Sequence, residues 1–254
     1  MKRVIFITII SILFTACGGG ESSSNKNKKS KKSSKVIKIM PLGDSITYDS
    51  AHAYYDSNGK NLVPAGKRTA YRSYLAYDLK DAGVKFDFVG SKRAGYDVIP
   101  KFDPDNEGHP GWSSFKLAKK AYYYISKNPA DFVLLHIGTN DKYDGGGTRV
   151  DGTKKIIDEI ERYAKEHKRK IHIFVALIIN RWLWDKTIEK YNKNLKAMLE
   201  ARNDPNITIV DMRNLLAGSQ GDYLENTHPS KKGYKKMADK WFVEIMDYLS
   251  TDTQ

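Results

Sequence analysis

Val36-Ile37-Lys38-Ile39-Met40-Pro41-Leu42-Gly43-Asp44-Ser45-Ile46-Thr47 is the stretch on which the reading of this chain turns. Its first five residues are short, β-branched and almost wholly apolar, the pattern of a strand buried on both faces as in a parallel sheet. Gly43 lets the backbone turn sharply at the strand's end, which leaves Ser45 just past it. That is where a nucleophilic serine would stand at the mouth of a site. By itself the tripeptide Gly43-Asp44-Ser45 also fits a helix N-cap, with Asp44 or Ser45 accepting a backbone N–H. The choice depends on whether the rest of the chain brings partners to that serine.

Outward from this stretch, strand and helix patterns alternate. Tyr48 to Gly66 is a long polar insertion, of a length more often functional than structural. Arg68 to Ala82 reads as a helix with Tyr71, Leu75 and Leu79 on one face and Gly83 as its stop. Val84 to Val89 is a second strand. An irregular stretch from Ser91 to Trp112 leads to a helix from Ser113, striped by Phe115, Ala118, Tyr122 and Ile125. Phe132 to Ile137 is a third, fully buried strand running into Gly138-Thr139-Asn140-Asp141. A helix carrying Ile156, Ile160 and Tyr163 precedes a fourth strand, Ile171 to Ile179. Asp185 caps a helix with Ile188, Tyr191, Leu195 and Met198, and Ile207 to Val210 is a fifth strand. The last helix starts near Pro229 and turns Tyr234, Met237, Trp241, Ile245 and Leu249 inward. Five alternations imply an α/β fold, a three-layer α/β/α sandwich on a five-stranded parallel sheet.

In such sheets ligands bind beyond the carboxyl ends of the strands. Gly43-Asp44-Ser45 follows strand one and Gly138-Thr139-Asn140-Asp141 follows strand three. Glu107-Gly108-His109-Pro110-Gly111-Trp112 lies between strand two and its helix, and His228 between strand five and the last helix. All four fall at one edge of the sheet.

The charge of the 254-residue chain is unevenly spread: residues 1 to 35 hold eight Lys or Arg against Glu21 alone, leaving +6 of the net +13 for the remainder. That remainder is interleaved, as in Lys231, Lys232, Lys235 and Lys236, which is the habit of solvated helix faces and speaks against nucleic-acid binding. The length beyond residue 35 suits one well-cored domain, with a monomer as the expected state. Met1-Lys2-Arg3 is a basic start, Val4 to Phe14 is apolar but too short to span a bilayer, and Thr15-Ala16-Cys17 offers a cleavage site. This resembles a bacterial lipoprotein signal. The resemblance implies removal of residues 1–16, membrane attachment through a lipidated Cys17, and an exported protein held at the cell envelope. An ordinary cleaved signal with Cys17 incidental is the alternative. Residues 17–35 then form a Gly-, Ser- and Lys-rich tether before a catalytic domain over 36–254. Cys17 is the sole cysteine, so the fold relies on its core without a disulfide.

The four segments in their order resemble the sequence blocks of the GDSL or SGNH hydrolases, serine esterases on a flavodoxin-like α/β/α fold. Gly43 to Thr47, Phe88-Val89-Gly90-Ser91 and Glu107 to Trp112 look most like carbohydrate esterase family 3, the acetylxylan esterases. No Gly-x-Ser-x-Gly elbow is present, unlike in ordinary α/β-hydrolases. The resemblance implies Ser45 as nucleophile and His228 as its base, with the oxyanion held by the N–H groups of Ser45 and Gly111 and the amide of Asn140. It also implies an acid three residues before the histidine. That acid is usually Asp in the family and here is Glu225, whose extra methylene must be accommodated. Asp222, or a backbone carbonyl in a Ser–His dyad, are the alternatives.

The implied substrate is a short-chain acyl ester, acetyl foremost, on a carbohydrate, and the chemistry needs neither metal nor organic cofactor. A lipase, thioesterase or lysophospholipase of the same fold is the second reading, and a glycan-binding surface lipoprotein without turnover the third. Asp44 is expected to brace the turn beneath Ser45. His136 reads as a core histidine, and His52, His167 and His172 as surface ones. His109 either lines the site or does not. Asp103 to Gly108 resembles the start of an EF-hand loop, but its twelfth position is Ser114 where Glu is needed. Trp182 and Trp184, beyond strand four, either stack on a sugar ring or pack beneath a loop.

Overall fold

The computed structural model describes residues 35–216 and 219–251. The leader expected over 1–16, Cys17 and all of the tether but Lys35 lie outside the described residues.

β1 (Ile37–Gly43) is followed by the single turn α1 (Ser45–Tyr48), α2 (Arg72–Asp81), β2 (Phe86–Phe88) and the short pair β3 (Lys92–Arg93) and β4 (Asp105–Gly108). Next come α3 (Ser114–Ala118), α4 (Ala121–Lys127), β5 (Phe132–His136), α5 (Asp151–Glu166), β6 (His172–Leu177), α6 (Lys186–Arg202), β7 (Ile207–Asp211) and α7 (Lys231–Thr251). The five strands expected from the sequence are present and parallel, in the order β2-β1-β5-β6-β7. This is the flavodoxin-like order, whose direction reverses between β1 and β5. Ser45 and Asn140, immediately beyond those two strands, therefore flank the crevice at that reversal.

The sheet has seven strands in all, because part of the irregular stretch joins it. β2 pairs with β1 only over Ile37–Ile39, and β4 takes the vacated edge further along, opposite Leu42 and Gly43. β3 then pairs antiparallel with β4. The handover is made by Asp103, whose carboxylate accepts the backbone N–H groups of Phe88 (2.8 Å) and Asp105 (3.1 Å), two bonds internal to the fold. β4 is polar, so it shows no apolar strand signature. Its Asn106 is buried and its amide oxygen accepts the N–H of Gly108 at 3.0 Å.

α2 and α7 cover one face, with the rings of Tyr71 and Trp241 6.0 Å apart. α3 and α4 pack on α5, and Arg202 of α6 reaches Asp158 of α5 at 2.8 Å, which makes the opposite layer. Between the layers Leu42, Leu75, Val133, Phe174, Ile160 and Trp241 are buried. Each such side chain contributes about 1.5–3 kcal/mol on leaving water.

Three expectations need adjustment. α2 begins at Arg72 because Ala70 has φ +50° and the carboxylate of Asp49 takes the N–H groups of Thr69 (2.8 Å) and Ala70 (3.0 Å). The helix from Ser113 breaks between Ala118 and Ala121 into α3 and α4. His172 is buried in β6 instead of lying at the surface. Its Nε2 is 2.8 Å from Thr208 Oγ1 and its ring 3.9 Å from that of Tyr248. Arg72 is also wholly buried. Its guanidinium donates to the carbonyls of Thr47 (3.0 Å), Arg68 (3.1 Å) and Ala94 (3.1 Å), locking α2 to the turn that carries Ser45.

Candidate active site

Both readings of Gly43-Asp44-Ser45 hold at once. Asp44 is the N-cap of α1, its Oδ1 accepting the N–H of Ile46 at 2.9 Å, and Ser45 is left as the first helical residue. Gly43 admits no larger residue, since a Cβ there would sit 2.3 Å from the carbonyl oxygen of His136 on β5. Burial raises the Asp44 carboxyl to about 6, against the lowering effect of its bond to Ile46 and the charge of His228.

The His228 segment is the tip of a small hairpin, pinned by a bridge between Tyr223 and Pro229 and by the Leu224 N–H donating to His228 O at 2.9 Å. It brings His228 Nε2 to 2.8 Å from Ser45 Oγ. The other ring nitrogen, Nδ1, lies 2.5 Å from Glu225 Oε1. An Nδ1–H donating to the carboxylate leaves Nε2 free to accept the serine proton. Glu225 fits its longer side chain by curling it under its own loop, where Oε1 also accepts the N–H groups of Thr227 (3.2 Å) and His228 (2.8 Å). Burial would raise this carboxyl, but the bonds and charge of His228 and the two backbone donors hold it at about 2. The buried carboxylate of Asp222 is directed elsewhere and meets Lys232 and Lys236 on α7.

Across the crevice, His109-Pro110-Gly111-Trp112 forms a tight turn closed by the Trp112 N–H donating to His109 O at 3.1 Å. Proline second and glycine third at φ +75° are what a type II turn requires. Asn140 Nδ2 donates to Trp112 O at 3.1 Å, tying the third proposed oxyanion donor to the loop of the second. Ser45, Gly111, Asn140 and His228 share the wall of one cavity of about 190 Å³.

His109 does not line that cavity; it stands behind the turn. Its ring packs against those of Trp112 (4.3 Å) and Tyr124 (4.7 Å), and its Nε2 is 2.7 Å from the buried carboxylate of Glu107. Glu107 in turn accepts the N–H and the hydroxyl of Ser91, each at 2.7 Å. The backbone N–H of His109 donates to Gly43 O at 2.9 Å, so the turn bearing Gly111 is fastened to the strand bearing Ser45.

Other cavity residues were not singled out by sequence reasoning. Arg181 is buried, with its guanidinium reaching Thr227 Oγ1 (2.5 Å) beside His228 and the carbonyl of Thr139 (3.4 Å) beside Asn140. It braces the two loops against each other. Its place just beyond β6, at the ligand-binding edge, is the signal that would have found it. His52 is exposed as expected, yet it lines the cavity with its ring edge-on to His228 at 5.9 Å. His136 is buried at the end of β5, and burial lowers it to about 4, which keeps it uncharged. Among the described residues no group of three or more His, Cys, Asp or Glu is placed to hold a metal.

Relatives carry the same frame. A family model described as GDSL-like lipase/acylhydrolase matches residues 39–241. The chain belongs to this family. As an acylhydrolase it cleaves carboxylic esters, a reaction for which an aligned Ser–His–Glu array is suited. A multidomain esterase of Ruminococcus flavefaciens is 28% identical over 243 residues, covering 84% of this chain but only 29% of that longer protein. A family 3 carbohydrate esterase of Clostridium thermocellum superimposes with a TM-score of 0.68 at 29% identity, over 85% of this chain and 99% of the other. One from Talaromyces cellulolyticus gives a TM-score of 0.68 at 23% identity, over 85% and 99%, a likeness of fold.

Proposed function

We propose that this acylhydrolase removes short acyl groups, acetyl foremost, from a carbohydrate, using Ser45 as nucleophile and His228 as general base. The observation that carries this reading is the cavity at Ser45. At about 190 Å³ it is smaller than the roughly 300–1,000 Å³ typical of ligand pockets, and Ser50, His52, Tyr55, Asn140 and Arg181 set polar groups in its wall. An acetyl group suits such a space, and a sugar's hydroxyls suit such a rim. A long acyl chain needs an apolar channel instead. An apolar cleft of about 600 Å³ beside Tyr54, Leu224 and Pro229 shares no lining residue with the cavity at Ser45. The similarity to family 3 carbohydrate esterases supports the same substrate class.

In this mechanism Ser45 Oγ attacks the ester carbonyl while His228 Nε2 takes its proton. The carbonyl oxygen becomes an anion facing the N–H groups of Ser45 and Gly111 and the amide of Asn140. Collapse expels the sugar hydroxyl, which receives the proton from His228, and a water repeats the sequence to free the acid and Ser45. Glu225 holds the imidazole tautomer and offsets the imidazolium charge. Turnover of 4-nitrophenyl esters from acetate to palmitate and of acetylated glycans, by wild type and Ser45→Ala, tests the reading. Activity on acetate and acetylated glycan that vanishes in Ser45→Ala is the expected result. A tenfold preference for long chains, about 1.4 kcal/mol, would transfer the assignment to a lipase.

We infer from the leader that the enzyme works outside the cytoplasm, anchored through Cys17. Fatty-acid labelling in a bacterial host that is lost in Cys17→Ala is the expected outcome. Retained labelling would remove Cys17 as the anchor.

A further inference from the structure

Trp182-Leu183-Trp184 is an exposed apolar loop, with Trp184 47% accessible, yet it is held firmly. Asn180 closes it from within, its Oδ1 accepting the N–H groups of Arg181 (2.7 Å) and Asp185 (2.8 Å). Asn226 clips it from outside, taking the Trp182 N–H on its carbonyl (2.9 Å) and the Leu183 N–H on its side chain (2.8 Å). Asn226 lies between Glu225 and Thr227, so the loop hangs from the segment that carries His228. An apolar loop fixed this tightly while facing solvent is a surface built for contact.

Behind Trp184 a cleft of about 440 Å³ is lined by Asn180, Trp184, Lys186, Glu189, Lys190 and Lys193, with Arg213 on the far side. Its charges are arranged unlike those of the other helices. Lysines elsewhere pair at i,i+4, as Lys154–Asp158, Lys155–Glu159, Lys235–Asp239 and Lys240–Glu244 do. Glu189 stands four residues before Lys193, the favourable order for such a pair. Its carboxylate instead accepts the Trp184 indole N–H at 3.0 Å. That bond lays the ring along α6 and leaves Lys186, Lys190 and Lys193 without a carboxylate among the described residues. The cleft thus presents an indole tied to α6 by one hydrogen bond and three ammonium groups that form no ion pair among the described residues, against the single carboxylate of Glu189. Asn180 lines this cleft and the next residue, Arg181, lines the cavity at Ser45, so consecutive residues border the two spaces.

We propose that this cleft is a second saccharide subsite, which takes an acidic sugar residue of the same polysaccharide whose ester is cleaved at Ser45. The proposal rests on the carbohydrate reading above. The indole face suits the C–H face of a pyranose, and the ammonium groups suit its carboxylate. A neutral glycan would leave the three lysines idle, and an acyl chain would have to bury them.

Binding is measured on the Ser45→Ala protein, so that no ester is consumed, with polygalacturonate, neutral arabinoxylan and polyphosphate as probes. Polygalacturonate binding at least about tenfold tighter than arabinoxylan is expected. The combined Lys186→Gln, Lys190→Gln and Lys193→Gln variant should lose about tenfold, as three solvent-facing ion pairs would. Trp184→Ala should weaken polygalacturonate several-fold and leave polyphosphate unchanged. The combination Lys119→Gln, Lys120→Gln and Lys127→Gln, remote in sequence, controls for bulk charge and should shift binding less than twofold. Equal affinity for the acidic and neutral glycans, equal loss in the control, or indifference to Trp184→Ala would each overturn the subsite. Turnover of acetylated neutral glycan by wild type is read separately. Turnover of an acetylated acidic glycan is read beside it: activity on either glycan without an acidic preference in binding sinks the subsite alone, and absence of activity on both sinks the carbohydrate reading itself.

Discussion

Two glutamate–histidine pairs sit on opposite sides of the crevice, built from the same side chains and put to different ends. In Glu225–His228 the carboxylate holds Nδ1, and Nε2 reaches Ser45 at 2.8 Å. In Glu107–His109 the carboxylate holds Nε2, and the ring packs against Trp112 and Tyr124. The first pair is half-open, with the Glu225 side chain 25% accessible; Glu107 is wholly enclosed. What separates a proton carrier from a brace is thus which nitrogen remains and what it faces, not the identity of the pair.

The sharpest way to break this contrast is to delete each imidazole. His228→Ala should lower kcat on an aryl acetate by about 10⁴ or more, as loss of a triad base does. Glu225→Gln should cost about 10²–10⁴, by disturbing the tautomer, while Asp222→Asn stays within a few-fold. The reverse ranking would return the role to Asp222. Asn140→Ala removes one oxyanion donor and should cost about 10²–10³ in kcat. His109→Ala should cost only about tenfold, entered in kcat with KM little changed, because a loosened turn misaims the Gly111 N–H by a fraction of a bond. A loss as large as that of His228→Ala would erase the distinction between the two pairs.

The smallest effect concerns stability. Burial lifts Asp44 from 3.8 to about 6, so between those values the folded chain holds a proton that the unfolded chain has released. Stability therefore falls as pH rises through that window, and below about 4 the difference disappears. Asp44→Asn keeps a cap oxygen for Ile46 and should flatten the fall by roughly 2–3 kcal/mol between pH 4 and 7, read by chemical denaturation. Burial moves Asp141 to about 6 as well, so some slope should persist.

Much of this was legible beforehand, for identifiable reasons. The central parallel strands β1, β5 and β6 are largely buried on both faces and so show as apolar runs, and the residues of the candidate site fall at the carboxyl ends of the sheet. β4 was hidden because its Asp-Asn-Glu-Gly composition satisfies its polar groups internally. The late start of α2 was hidden because it depends on Asp49, distant in the chain. His172 was misjudged, and Arg181 and the place of His52 in the cavity wall were passed over, for a common reason: a lone titratable residue carries no periodic signal, and its environment is set by elements far away in sequence.

The hydrogen bond between Ser45 and His228 joins residues 183 positions apart, from the first strand of the sheet to the threshold of the last helix. Synthesis runs from the N-terminus at about 5–20 residues per second, so roughly 10–40 s pass between the emergence of the serine and that of the histidine. Throughout that interval the growing chain carries a serine with no base.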